Sequence, residues 1–359
     1  MQTFTLGTRL CFGENALNAL KTLGARRVLL ITDKFFAENG TAQKISDLCL
    51  AETRIFAEVQ PDPPLSLVAE GVRVLKEFQP DALLALGGGS AIDCAKAVVY
   101  FLEEKVQLVA VPTTSGSGSE VTSFSVLTHE GSKYPLVDPK LCPDMAILDS
   151  DLVSSLPKAL VADGGFDVLS HALESFVATG ANDITRALSK EAFRTVLACL
   201  PASFSGNLQA RERIHTASTM AGLAFTGAGL GICHSIAHAL GGMFHIPHGR
   251  LNAILLPAVI GCNAHSAGAQ YVALARCAEL SGASETVAVR SLMNNLTRLR
   301  KQCNLPGNLR EAGIDPRALR QAMPKLTEQA LQDPCTKTNP LPVADFMIRR
   351  ILDEVSGSV

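Results

Sequence analysis

Residues 82–96 read ALLALGGGSAIDCAK, and the fold turns on them. Ala82 to Leu86 are apolar without interruption, as expected of a strand buried on both faces. Gly87, Gly88 and Gly89 then let the backbone turn tightly and approach a ligand with no Cβ in the way. From Ser90 the chain reads as a helix, with Asp93 in its first turns. Its free amides and positive dipole end would face the turn and favour a phosphate. The spacing is not the G-x-G-x-x-G fingerprint, and a purely structural strand-to-helix turn also accounts for three glycines.

Working outward, residues 27–32 (RVLLIT) and 106–111 (VQLVAV) are further buried strands, and residues 1–6 (MQTFTL) alternate like an opening strand. Leu67, Val68, Val72 and Leu75 recur at helical spacing across residues 65–78, just after the turn signal Asp62-Pro63-Pro64. Connections of this length join parallel strands, so the first half is a parallel sheet with helices on both faces, a Rossmann-like nucleotide-binding layout. A second polar loop, residues 112–120 (PTTSGSGSE), also follows a strand. It offers hydroxyls from Thr113, Thr114 and Ser117 at the carboxyl edge where open α/β sheets bind ligands. An ordinary polar loop with Ser119 capping a helix is compatible with that role. Asp33 ends the first of these strands. There a carboxylate accepts from ribose hydroxyls and repels a 2′-phosphate, favouring NAD over NADP, although a turn or helix-capping Asp reads the same way.

The grammar changes near Pro157, after which apolar residues recur at three and four and strand-like alternation nearly disappears. This predicts an α/β domain over 1–156 and an all-helical domain over 157–359, packed around a shared cleft because no flexible linker separates them. The 359 residues are 47% hydrophobic and 18% charged with a formal net charge of −2, the composition of a well-packed enzyme. No Lys/Arg block points to nucleic acid or an anionic membrane. No apolar run approaches the roughly 20 residues of a membrane span, and the start lacks the layout of a secretion signal. The ten cysteines form no C-x-x-C pair, which suits small buried residues in a reducing cytoplasm. Cys94 and Cys233 fall beside motifs, where oxidation could matter.

Four of the eight histidines, His234, His238, His245 and His248, lie within fifteen residues. His234 and His238 share a helix face, and Pro247 suggests that His248 folds back beside them from a turn. Upstream, Asp167 and His171 are also one helical turn apart. If the two faces meet, imidazoles and a carboxylate converge on one ion, a donor set suited to Fe, Zn, Ni or Co rather than Mg or Ca.

These stretches carry a resemblance. GGGSAIDCAK (87–96), PTTSGSGSEVT (112–122), KYPLVDPKLCPDMAILD (133–149), GFDVLSHALE (165–174) and GLGICHSIAHALGGMFHIPHG (229–249) are similar to the iron-containing (group III) alcohol dehydrogenases along essentially the whole chain. Within that family the short segment between Lys96 and Pro112 and the closing TNPLP (338–342) resemble the 1-propanol dehydrogenases of bacterial microcompartments. The resemblance implies a dehydroquinate synthase-like fold and a homodimer or higher homo-oligomer, cytoplasmic or enclosed in a microcompartment. It implies Asp167, His171, His234 and His248 as ligands of Fe(II), or Zn(II), and His238 as the histidine beside nicotinamide and substrate. It places Asp33, Asp62, Gly88, Gly89, Ser90, Thr113, Thr114, Thr122, Phe124, Lys133 and Leu152 on NAD contacts. The chain departs from the family pattern at Ser117 and Gly164, where Thr is usual, and at His245, where Asp or Asn is common.

The expected chemistry is reversible hydride transfer between NAD(H) and a small primary alcohol or aldehyde, a divalent metal acting as Lewis acid and His238 or water handling the proton. A polyol dehydrogenase such as a glycerol or propanediol enzyme is the nearer alternative, and a non-redox dehydroquinate synthase-like cyclase the more distant one. The cyclase handles a phosphate- and carboxylate-bearing substrate. Here the metal motifs are flanked by Ala, Leu, Phe and Gly, with Arg250 the nearby cation.

Overall fold

The apolar runs of the first half pair as β1 (Arg9–Gly13), β2 (Arg27–Asp33), β3 (Glu52–Val59), β4 (Ala82–Gly87), β5 (Gln107–Pro112), β6 (Phe124–His129), β7 (Ser132–Val137) and β8 (Met145–Asp149). Six of them form one parallel sheet in the order β1-β8-β5-β4-β2-β3, and β6 and β7 form a separate antiparallel hairpin. The structure is a computed structural model that describes residues 4–102, 105–129 and 132–357. The chain divides into two compact units, Thr5–Leu156 and a second that begins at Pro157 and also takes in Phe4.

In the first unit the pleat sorts alternate residues into two cores. Leu29, Ile31, Leu83, Ala85, Leu108 and Ala110 pack on one face, beneath α3 (Leu65–Phe78) and α4 (Gly89–Tyr100). Val28, Leu30, Leu84, Leu86, Val109 and Val111 pack on the other, with the 3-10 turn Ala16–Thr22 and α2 (Thr41–Leu48), which follows the short α1 (Lys34–Glu38). Each fully buried aliphatic side chain stabilises this sandwich by about 1.5–3 kcal/mol. The sheet order reverses between β2 and β4, whose carboxyl ends lie side by side through the pairing of Ile31 with Ala85. Such a switch point is where an open α/β sheet binds its ligand.

Of the alternating residues 1–6, residues 1–3 lie outside the described residues and residues 4–6 form no strand; the first strand described is β1. Arg9 is set opposite Met145 at the start of β1, and Phe4 belongs instead to the helical unit, close to Gly227. Pairing with β8 therefore outweighs local alternation.

The first unit closes with the short α5 (Asp151–Ser154). The second contains α6 (Lys158–Val177), α7 (Asp183–Phe204), α8 (Leu208–Ala228), α9 (Ile232–Phe244), α10 (His248–Cys277), α11 (Glu285–Gln302), α12 (Pro316–Gln332) and α13 (Asp345–Val355). α6 is buried almost all round from Val161 to Val177, as a helix at the centre of a bundle must be. It nevertheless carries Asp167, His171 and Glu174, and buried polar groups require partners. Among the described residues no single helix is long and apolar enough to cross a membrane.

Candidate active site

The partners of those buried groups come from α9 and α10. His248 is the first residue of α10, directly after Pro247 in the capping position. Its Nε2 lies 3.5 Å from Asp167 Oδ1. This approach needs a glycine next door, because a Cβ on Gly249 would sit 1.9 Å from the Asp163 carbonyl oxygen of α6. Donor atoms of Asp167, His234 and His248 all fall within 4.8 Å of one another. His171 borders this group, with Nε2 4.0 Å from Asp167 Oδ1 and its ring stacked on His234 at 4.6 Å between centroids.

Glu174 organises the second helix. Its carboxylate is 1% exposed and accepts from the backbone amides of Gly231, Cys233 and His234 at 3.0, 2.7 and 3.4 Å, capping the N-terminus of α9. The same carboxylate meets His234 Nδ1 at 2.6 Å. Burial pushes Glu174 up to about 7, against the pull of the three amides. Burial first, then neighbouring His171 and His238, holds the His234 imidazole well below its usual value and therefore neutral. With Nδ1 turned to Glu174, the buried Nε2 of His234 has no hydrogen-bond partner among the described residues. A neutral imidazole aimed into a cluster of one carboxylate and further imidazoles fits a divalent transition-metal ion, and a carboxylate behind it is the usual way of fixing such a ligand. Asn252 steadies the carboxylate of the cluster, donating from Nδ2 to Asp167 Oδ1 at 3.0 Å.

His238, one turn beyond His234, stacks on His248 at 5.1 Å and 17°. Its Nδ1 is 2.8 Å from Asp333 Oδ2. Burial raises the Asp333 carboxyl, but the hydrogen bond and charge of His238 outweigh this and hold it at about 2. His245 ends α9 in the left-handed conformation at φ 55°, one that Asn and Asp adopt readily, and lies outside the donor group. Arg250 is engaged by Asp163 through two bonds of 3.2 and 2.9 Å.

In the first unit, Asp33, Gly87 and Pro112 end three neighbouring strands, Gly87 being paired with Pro112. Gly87 has φ 151°, and a Cβ there would meet the Ala91 Cβ at 2.6 Å. Cβ atoms on Gly88 and Gly89 would press on Thr114 and Ser117 at 3.2 and 3.1 Å, so the two polar loops touch each other at the carboxyl edge. Thr113 binds this turn by its amide, 3.0 Å from the Gly87 oxygen. Ser90, the second residue of α4, is half-buried beside it. Asp93 is drawn inward, its Oδ2 accepting from the Val126 amide at 3.0 Å. Lys96, fully buried, donates from Nζ to the carbonyls of Thr122 and Phe124 and to the Thr122 hydroxyl, at 2.8, 2.8 and 2.9 Å. Burial lowers this lysine to about 8. Gly118, not Ser119, takes the capping position of the following 3-10 turn.

Asp33 caps α1, accepting from the Phe36 amide at 3.2 Å, and borders a 650 Å³ depression with Glu58 and Glu70. Asp62 is exposed at φ 53° in the turn after β3, and Leu152 packs in α5 against the core that contains Val28 and Leu30. The side chain of Lys133 lies outside the described residues. Burial raises the thiols of Cys94, to about 12, and of Cys233, so neither behaves as a reactive thiolate.

Sequence reasoning missed Glu174, Asn252, Asp333 and Lys96. Glu174 is seven residues after Asp167 and three after His171, and Asn252 four after His248, so helical spacing could have flagged both. Nothing local links Asp333 to His238, 95 residues away.

Two family models cover most of the chain. Residues 7–150 match "Iron-containing alcohol dehydrogenase" and residues 161–355 match "Fe-containing alcohol dehydrogenase family, C-terminal". The chain is 41% identical to the 1-propanol dehydrogenase PduQ of Citrobacter freundii, across 99% of this chain and 100% of that one. It is 35% identical to the NADPH-dependent butanol dehydrogenase of Clostridium saccharobutylicum, across 98% and 97%. The fold matches the sulfoacetaldehyde reductase of Bifidobacterium kashiwanohense, solved with NAD+, at a TM-score of 0.91 and 25% identity over 100% of both chains. This chain belongs to the iron-containing alcohol dehydrogenase family and is an enzyme of that class.

Proposed function

We propose that this enzyme catalyses reversible hydride transfer between NAD(H) and a small primary alcohol or aldehyde of the 1-propanol/propanal class. Asp167, His171, His234 and His248 hold a divalent ion, Fe(II) in this reading. The observation that carries it is the buried Nε2 of His234, without a hydrogen-bond partner among the described residues, in a side chain grouped with those of Asp167 and His248. When bound, the ion supplies Lewis acidity toward the alcohol oxygen and the nicotinamide supplies the hydride acceptor.

The chain's own residues do the rest. Glu174 keeps the Nδ1 proton of His234 and so leaves Nε2 to bind, while Asn252 holds the Asp167 carboxylate in place. His238, oriented at Nδ1 by Asp333, moves a proton at Nε2 to or from the substrate oxygen. The triglycine turn and the 113–117 hydroxyls bind the coenzyme pyrophosphate at the N-terminus of α4, and Asp33 binds the ribose. Arg250 is committed to Asp163, which supports an uncharged substrate over the anionic one of a cyclase.

The test is NADH oxidation with C2–C4 aldehydes after anaerobic reconstitution with Fe(II), alongside glycerol and propanediol with NAD+. Turnover of propanal is expected. No turnover of any C2–C4 aldehyde with NADH or NADPH would sink the assignment, and a preference for polyols would move it to the alternative substrate class.

A further inference from the structure

A second set of donors lies one turn along α9 from His234. Asp333 follows α12 and caps the 3-10 turn Pro334–Thr338. From there it reaches His238 Nδ1 with one oxygen at 2.8 Å and the Cys335 amide with the other at 2.8 Å. The turn folds the Cys335 thiol back toward the same point, so donor atoms of His238, Asp333 and Cys335 all lie within 4.8 Å of one another. In a tetrahedral ion with bonds of about 2.0–2.3 Å the donors stand roughly 3–4 Å apart, so small rotamer shifts close the gap.

The turn is also fastened independently of these three side chains. Thr336 Oγ1 donates to Ser235 Oγ at 2.7 Å, and Thr338 Oγ1 donates to the Leu230 carbonyl at 2.7 Å. Both contacts fix the turn on α9 and the residues just before it, and much of the ordering cost of a metal site is already met by the fold. The side chains of His238 and Asp333 are 29% and 14% exposed, so an ion can reach them from solvent.

The donor chemistry differs from that of the first cluster. Asp167, His171, His234 and His248 offer nitrogen and oxygen only, whereas this set adds sulfur, which favours borderline and soft ions such as Zn(II). We infer that His238, Asp333 and Cys335 form a second divalent-cation site, selective for zinc-class ions. On binding, bonds form to sulfur, nitrogen and oxygen with no change of oxidation state. The thiol proton leaves to solvent, and the imidazole proton moves from Nδ1 to Nε2. His238 can then no longer accept a proton at Nε2. Resting on the proton role proposed for His238, filling this site inhibits turnover.

The experiment is a Co(II) titration of the whole apo-protein, followed by optical spectroscopy, in wild type and Cys335→Ser. Wild type should develop a near-ultraviolet thiolate-to-cobalt charge-transfer band. The Cys335→Ser variant should lose that band and bind one equivalent fewer. Zn(II) should inhibit the Fe(II)-loaded enzyme, and the variant should need at least about tenfold more zinc for half-inhibition relative to its own uninhibited rate. Zinc protection of Cys335 from alkylation, mapped by peptide mass spectrometry on wild type, gives the same answer should the variant not fold. No thiolate band at any cobalt excess, a band that persists in Cys335→Ser, or no zinc protection of Cys335 overturns the site. Binding without inhibition keeps the site and counts against the proton role of His238, which separates the two claims.

Discussion

The two units present their candidate ligand-binding atoms in opposite ways. In the helical unit the atoms are side-chain donors projected from the helices, each held by another side chain: His234 by Glu174, Asp167 by Asn252, His238 by Asp333. In the α/β unit they are backbone amides and short hydroxyls at a strand edge, held by close loop contacts and by a lysine that never reaches the surface. The helical site therefore depends on where helices cross, and the sheet site on how tightly two loops are stitched together. Substitutions that loosen one should leave the other intact.

The harshest break of that comparison is Gly249→Ala. Its new Cβ would fall 1.9 Å from a backbone oxygen of α6, and only parting α10 from α6 relieves it. We expect destabilisation on the order of 3–5 kcal/mol in denaturant unfolding, with metal affinity falling too, because His248 is the adjacent residue. A variant that unfolds like wild type and retains its metal would show that the helix crossing is not what sets His248.

Glu174→Gln probes the same site more gently. Glutamine keeps the shape and can still accept from the α9 amides, but it no longer stabilises the Nδ1 proton as a carboxylate does. Metal affinity should drop roughly 10–100-fold in chelator competition, with little effect on coenzyme binding. Equal loss of coenzyme affinity would erase the separation between the units.

Lys96→Met makes the reciprocal cut. It removes three hydrogen bonds to residues 122 and 124 while preserving most of the apolar stem. With a net value of about 1 kcal/mol for each bond, a rise of roughly 5–30-fold in the NADH dissociation constant is expected even with partial relaxation. Metal content should match wild type.

How much of this could be read beforehand follows from the same contrast. α3 falls on residues 65–78 as its apolar spacing predicts, and β2, β4 and β5 follow their uninterrupted apolar runs, because a buried parallel strand writes its environment directly into composition. β3 (ETRIFAEV) is half exposed at the sheet edge, and its mixed composition hid it. The convergence of Asp167, His171, His234 and His248 was foreshadowed by the i,i+4 pairs on the two helices. Their supports were not equally so: Glu174 shares a helix face with Asp167 and His171, whereas the pairing of Asp333 with His238 arises from tertiary folding alone. Asp93 and Lys96 look like parts of a phosphate loop in sequence, yet their side chains turn inward to hold residues 122–126.

Asp33 carries the smallest expected effect and the finest distinction. Its carboxylate already caps α1 through the Phe36 amide, so a structural duty and a coenzyme duty compete for one side chain. Asp33→Ser separates them, because serine still caps a helix but carries no charge to repel a 2′-phosphate. If charge decides coenzyme choice, the ratio of kcat/KM for NADH over NADPH should fall about tenfold, the equivalent of about 1.4 kcal/mol, with stability changed by a few tenths. Glu58 and Glu70 border the same depression and keep it acidic, which is why a complete switch to NADPH is not expected from this one change. An unchanged ratio with a lowered melting point would assign Asp33 to the helix cap alone and shift coenzyme selection to those two glutamates.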